Sequence, residues 1–106
     1  MTAPFDSARD HRISRDEAAG LIKAHQAQAA PSAHQATAFN RSAFEHLLAQ
    51  PGAAGIRIYH ARHADGSQTM VMVAVDGSGQ DLIGQTDTCA QRGTDCPPYC
   101  VSTAWI

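Results

Sequence analysis

The fold is decided by two strand-like runs and the turn between them: Ile56-Arg-Ile-Tyr-His-Ala-Arg-His63, Ala64-Asp-Gly-Ser67 and Gln68-Thr-Met-Val-Met-Val-Ala-Val75. The Asp65-Gly66 pair predicts a tight hairpin turn, because glycine accepts the positive φ that such turns require. The second run is apolar on both faces over 70–75. Such a run is typical of a central strand that is covered on both sides.

Two helices are predicted before this hairpin. Ser14-Arg-Asp-Glu17 matches a capping box, and apolar residues follow at helical spacing, which predicts a first helix over 15–29. A second helix is expected to begin at Asn40 or Ser42, where Ser42 and Glu45 match another capping box, and to stop at Pro51-Gly52. The connection between the helices shows neither helical nor strand character.

The chain is expected to fold as one α+β domain: two N-terminal helices packed on a small antiparallel sheet built on the central β-hairpin, with a Cys-rich C-terminal strap. A third strand is expected to open at Leu82, and residues between it and Asp95 are expected to form a loop. The predicted parts are an N-terminal arm (1–12), a helical half (13–52), a sheet half (55–84) and a Cys-rich tail (85–106).

Composition argues against several functions. The net charge is −2 and the only lysine is Lys23, whereas a nucleic-acid footprint needs clustered Lys and Arg. The sequence has no run of about 18 apolar residues, which is the length that a membrane helix needs. The first ten residues also lack the apolar core of a signal peptide. The expected location is therefore cytoplasmic, without nucleic acid or membrane insertion.

The three cysteines leave several chemistries open. Cys96 and Cys100 fall within the spacing of a zinc ligand pair, with Cys89 as a third thiolate and His60 or His63 as a fourth ligand. A Cys96–Cys100 disulfide closes a very short loop, a bond from Cys89 closes a larger one, and free thiols are the remaining alternative. His60 and His63 would point to opposite faces of a strand, which weakens the zinc alternative.

The preferred function from sequence is a non-enzymatic interaction or structural module. One helical layer leaves the second sheet face uncovered, so the tail or another subunit is expected to cover it. The predicted interface residues are Tyr99, Trp105 and Ile106, in a homo-oligomer or larger assembly without a cofactor. The alternative is a small metal-binding or thiol-redox protein that uses the C-terminal cysteines, with zinc as the metal.

Three separated motifs resemble a group of short bacterial hypothetical proteins. The chain has Gly55-Ile-Arg-Ile-Tyr59, Val73-Ala-Val-Asp-Gly-Ser-Gly-Gln-Asp81 and Cys96-Pro-Pro-Tyr-Cys100, where the group has G-[LI]-R-I-Y, V-x-V-D-x-x-G-x-D and a terminal C-P-x-x-C. The likeness spans roughly residues 40–100 and is weaker over the first forty. It implies a shared fold and a bacterial origin, and it carries over no catalytic residue.

Overall fold

The structure is a computed structural model that describes residues 4–30, 32–84 and 89–100. It confirms a mixed α+β fold with two helices and small antiparallel sheets. In chain order the elements are α1 (Arg15–Gln28), β1 (Ala36–Ala38), α2 (Arg41–Leu48), β2 (Gly55–Arg62), β3 (Gln68–Val75), β4 (Cys89–Ala90) and β5 (Thr94–Cys96).

The larger sheet has the order β2-β3-β4, so β3 is the central strand as predicted. The β2–β3 hairpin is also confirmed: the His63 N–H donates to the Ser67 carbonyl at 2.8 Å, and Gly66 has a φ of +89°. The expected third strand at Leu82 is wrong. Asp81 makes only an isolated bridge to Val75, and the third strand is β4.

A second sheet joins two regions for which no strand was predicted. Strand β1 pairs with β5 in antiparallel register, with Ala36 opposite Cys96 and Ala38 opposite Thr94. Both strands are three residues long, and β1 consists of Ala-Thr-Ala. Strands this short and this poor in large side chains show no recognisable alternation of apolar and polar residues. The sequence therefore gives no sign of them.

The helix boundaries follow local capping signals only in part. The Glu17 N–H donates to Ser14 Oγ at 3.0 Å, so the first predicted cap is confirmed. The second helix begins after Asn40, whose side chain makes no capping hydrogen bond. The alternative start at Ser42 is wrong, because Ser42 already lies inside α2.

The core lies between α2 and one face of the larger sheet, which we call the helix face. Leu47 of α2 is fully buried against Met72 and Ala74 of β3. Helix α1 lies at the other end of this face, where its His25 lines a groove together with Met70. No residue of α1 is buried, so this helix contributes less to the core than the sequence predicted.

The opposite face of the sheet is covered by side chains of the same chain. Val75 pairs with β2 on one side and bridges to Asp81 on the other. The bonds that Arg57 and Tyr59 of β2 make to Asp81 therefore cross the face of β3. Beneath them, Val73 and Val75 are only 4% and 1% exposed. Val73 and Val75 are thus buried within a single copy of the chain.

Candidate functional site

The Cys-rich tail contains a disulfide between Cys96 and Cys100, whose Cα atoms lie 4.7 Å apart. Cys96 is buried on β5, whereas Cys100 is half-buried after the exposed Pro97-Pro98-Tyr99 turn. The turn is closed by a hydrogen bond of 2.9 Å from the Tyr99 N–H to the Asp95 carbonyl. Cys89 is an exposed free thiol.

The disulfide engages two of the three thiolates that a Cys3His zinc site would need. His60 lines the groove on the helix face, while His63 binds a carboxylate through its Nε2 atom. Within residues 4–30, 32–84 and 89–100, no three His, Cys, Asp or Glu side chains are grouped as metal ligands.

A buried carboxylate lies directly before the disulfide. Asp95, 8% exposed, accepts hydrogen bonds from three side chains, two on strands and one just after a strand. Thr37 of β1 donates to its Oδ1 atom at 2.6 Å, and Thr69 of β3 donates to the same atom at 2.9 Å. His63, just after β2, lies with its Nε2 atom 2.9 Å from Oδ2. Asp95 therefore joins the smaller sheet to the larger one.

Two further side chains complete this network, which we call the Asp95 cluster. Each threonine hydroxyl has one proton and gives it to Asp95, so it can only accept from its other neighbour. His34 Nε2, 2.7 Å from Thr37 Oγ1, must therefore carry a proton. Gln91 Nε2 donates to Thr69 Oγ1 at 3.1 Å. The bonding pattern thus fixes the tautomer of His34 and directs all these donors toward one carboxylate.

Opposing effects set the charge of Asp95. Burial raises the pKa of its carboxyl, whereas the hydrogen bonds from Thr37, His63 and Thr69 lower it, and the net pKa lies below the ordinary 3.8. The carboxylate is therefore charged at neutral pH and its oxygens are engaged by donors. This arrangement orients His63 and holds strands together.

The sequence did not identify the Asp95 cluster as a site. Its members come from distant segments and show no informative spacing. Of the predicted site residues, only His63 belongs to it, and its partner here is a carboxylate, whereas the zinc alternative had considered it as a metal ligand. Cys96 adjoins the cluster because it follows Asp95 on β5.

The surface carries large apolar side chains in several places. Among the predicted interface residues, Tyr99 is 65% exposed, while Trp105 and Ile106 lie outside the described residues. Other large apolar side chains that are more than half exposed belong to α1, β2 and the turns: Ile13 (51%), Leu21 (63%), Ile58 (54%) and Ile83 (59%).

Comparison with known protein families, curated proteins and solved structures finds no match for the chain. In the part of the chain that the structure describes, neither helix has the length and apolar character needed to cross a membrane.

Proposed function

We propose that the protein is a non-enzymatic interaction module that self-associates. The observation that carries this proposal is α1, a helix of 14 residues with no buried residue. Helices shorter than about 12–15 residues are marginal in water, and most helices in proteins are stabilised by packing of an apolar face. We infer that a further surface packs against α1 in the functional protein.

Exposed apolar side chains on α1 and on the helix face of the sheet support this proposal. Ala18, Ile22 and Gln26 form a half-buried stripe toward the rest of the chain. Leu21, beside this stripe, is 63% exposed, and Ile58 on the helix face of the sheet is 54% exposed. Exposed apolar patches in small proteins commonly mark interaction sites.

A second copy of the chain is the partner that we propose. A domain of this size buries a modest core and gains stability by association, and closed dimers are the commonest assemblies of identical chains. The net charge of −2 offers no basic surface for nucleic acid. The expected contribution of Tyr99, Trp105 and Ile106 to the contact remains part of this proposal.

Light scattering coupled to size exclusion tests the proposal over a range of protein concentrations. The chain has a mass of 11.2 kDa, so association appears as a mass that rises toward twice this value or higher. The dissociation constants of weak specific complexes are on the order of several hundred micromolar. A mass that stays at 11.2 kDa up to this protein concentration would contradict self-association.

The thiol-redox alternative is supported by one observation, the disulfide between buried Cys96 and half-buried Cys100. In reducing compartments such bonds persist mainly as parts of redox cycles. Equilibration in buffers of graded dithiol and disulfide content, followed by alkylation and mass measurement, gives the reduction potential of the pair. A reduction potential in the range of cellular dithiol proteins would support a role in thiol–disulfide exchange. A disulfide that stays oxidised in every buffer would oppose that role.

The zinc alternative requires the reduced protein, because both Cys96 and Cys100 are engaged in the disulfide. Native mass spectrometry of the reduced chain with added zinc tests it. One tightly bound ion that is lost in Cys89→Ser would favour a site that includes this thiolate. Equal zinc uptake by both proteins would exclude Cys89 as a ligand.

A further inference from the structure

Two imidazoles and a thioether line one groove on the helix face of the larger sheet. The groove has a volume of about 440 Å³, and its lining includes His25 of α1, His60 of β2 and Met70 of β3. It lies beside the core, because Met70 is half-buried whereas Met72 on the same face of the strand is fully buried. The groove therefore collects three side chains that can bind a metal, from three elements, at a place that solvent reaches.

His60 and Met70 lie directly opposite each other in the register of β2 and β3. The hairpin is closed by the bonded pair of His63 and Ser67, and bonded and non-bonded pairs alternate along an antiparallel ladder. The pair three residues further on is therefore a non-bonded one, in which side chains approach most closely. An imidazole and a thioether are thus held on the same face of the sheet, within reach of one ion.

Hydrogen bonds hold His25 near this pair. His25 Nε2 lies 3.3 Å from the carbonyl oxygen of His34, and the His34 N–H donates to Gln68 Oε1 at 3.2 Å. Gln68 and Met70 are two residues apart on β3, so they share a face of the sheet. Because a carbonyl only accepts, His25 Nε2 carries the proton, and Nδ1 of the neutral ring keeps its lone pair. Histidines that bind metals commonly donate their other ring N–H to a backbone carbonyl in this way.

The kind of ion follows from the donors. A methionine thioether is a soft ligand that favours Cu(I), and imidazole also suits copper. Zinc sites in proteins use Cys, His, Asp and Glu, while Ca²⁺ and Mg²⁺ take oxygen ligands. Of the described residues that line the groove, none is acidic. The donor set therefore fits Cu(I) better than zinc or a hard cation.

We infer that this groove is a Cu(I) site whose ligands are His25 Nδ1, the ring of His60 and the sulfur of Met70. His60 is exposed, and its ring has no hydrogen-bond partner among the residues that the structure describes. No existing bond has to break before this ring turns to the ion. The site uses none of the cysteines, which separates it from the zinc alternative, and it lies within one chain, which separates it from the proposed self-association.

Titration with Cu(I) without oxygen, in competition with a chromophoric Cu(I) chelator, tests the site in the full chain. A Cys89→Ser background removes the free thiol, which would itself bind Cu(I), and mass measurement shows that the disulfide stays intact. One ion per chain is expected. Met70→Leu and His60→Gln should each weaken binding at least about tenfold, since even the partners of metal ligands contribute that much. If the background protein binds no Cu(I) at micromolar concentrations, the site does not exist.

Met72→Leu and His11→Gln are the matched controls in the same background. Met72→Leu repeats the change of side chain two residues along β3 at a fully buried position, and His11 is an exposed histidine of the N-terminal arm. Both variants should bind Cu(I) as tightly as the background protein. Equal weakening in Met72→Leu and Met70→Leu would show that Met70 is not a ligand.

X-ray absorption at the copper edge adds a readout that needs no further variant. The Cys89→Ser protein loaded with Cu(I) should show sulfur as well as nitrogen among the ligands of the ion. A spectrum with nitrogen and oxygen neighbours alone would overturn the site, even if a substituted protein failed to fold.

Discussion

The Oδ1 atom of Asp95 accepts a hydrogen bond of 2.9 Å from the hydroxyl of Thr69, and this bond joins the two sheets of the fold. Asp95 belongs to β5 and Thr69 to the central strand β3. Because the carboxylate is buried and also engaged by Thr37 and His63, its removal would leave several donors without an acceptor.

Asp95→Asn is expected to lower the free energy of unfolding by about 2–4 kcal/mol, since hydrogen bonds to a buried charge are strong and their donors would face an amide. Urea unfolding measures this change. Asp65→Asn is the matched control, because Asp65 accepts bonds from Ser67 within an exposed turn. A similar loss in both variants would show that the Asp95 cluster adds no special stability.

The lowered pKa of Asp95 makes its contribution depend on pH. A carboxyl whose folded pKa lies below its unfolded value stabilises the protein fully above the unfolded value, and that stability is lost as the pH falls through the folded one. Unfolding free energy is therefore expected to fall below about pH 4. The decline should be shallower in Asp95→Asn, which urea titrations at a series of pH values will measure. An unchanged slope would contradict this assignment.

The disulfide is expected to stabilise the tail by about 2 kcal/mol, because it closes a loop of only a few residues. Cys100→Ala should cost about this amount, and Cys96→Ala more, because Cys96 is only 2% exposed and also packs in the interior. Cys89→Ala removes an exposed thiol and should leave stability unchanged. Equal unfolding midpoints for all three variants in urea would rule out a stabilising bond.

The N-terminal arm packs closely against the turn after β3. A Cβ atom added at Gly79 would lie 2.9 Å from the Cβ atom of Phe5, and Gly79 also has a φ of +87°. Gly66 has nearly the same φ, but nothing lies within 4 Å of an added Cβ. Gly66→Ala is therefore expected to cost about 1 kcal/mol of backbone strain.

Gly79→Ala should cost at least about 1 kcal/mol more than Gly66→Ala, because the Phe5 contact must also open. Thermal unfolding of the two variants provides the comparison. Equal costs would mean that the arm does not hold Phe5 against Gly79 in solution.

The side chains that cross β3 should alter the titration of a tyrosine. The hydrogen bond from Tyr59 to Asp81, followed by burial, raises the pKa of the phenol above 10.0. In a Tyr99→Phe background, alkaline absorbance titration follows Tyr59 alone, since the chain has two tyrosines. Asp81→Asn should lower the pKa of Tyr59, because the nearby Arg57 then favours the phenolate. A pKa that does not move would argue that Tyr59 is free of Asp81 in solution.

Local signals explain what the sequence predicted correctly. The hairpin depends on Asp65-Gly66 and on neighbouring apolar runs, and the start of α1 depends on Ser14 and Glu17, which are three residues apart. Such features are decided within a few residues of each other. The central position of β3 followed from its apolar character on both faces.

Long-range pairings explain what could not be predicted. Thr37 and Asp95 are 58 residues apart, and neither residue type indicates a partner at that distance. Arg57 and Tyr59 alternate with the apolar residues of β2, and both bond to Asp81 across the face that carries Val73 and Val75. Their shared acceptor, Asp81, becomes apparent only when the turn after β3 is in place.

The pairing of β1 with β5 has a consequence for the order in which the chain folds. The hairpin and α2 lie in the sequence between these two strands, so their pairing must close a long loop, whereas the hairpin closes a loop of a few residues. The smaller sheet should therefore form after the hairpin and open before it. Amide hydrogens that take part in the β1–β5 ladder are accordingly expected to exchange faster than those of β3, so the smaller sheet is the first part of this fold to open.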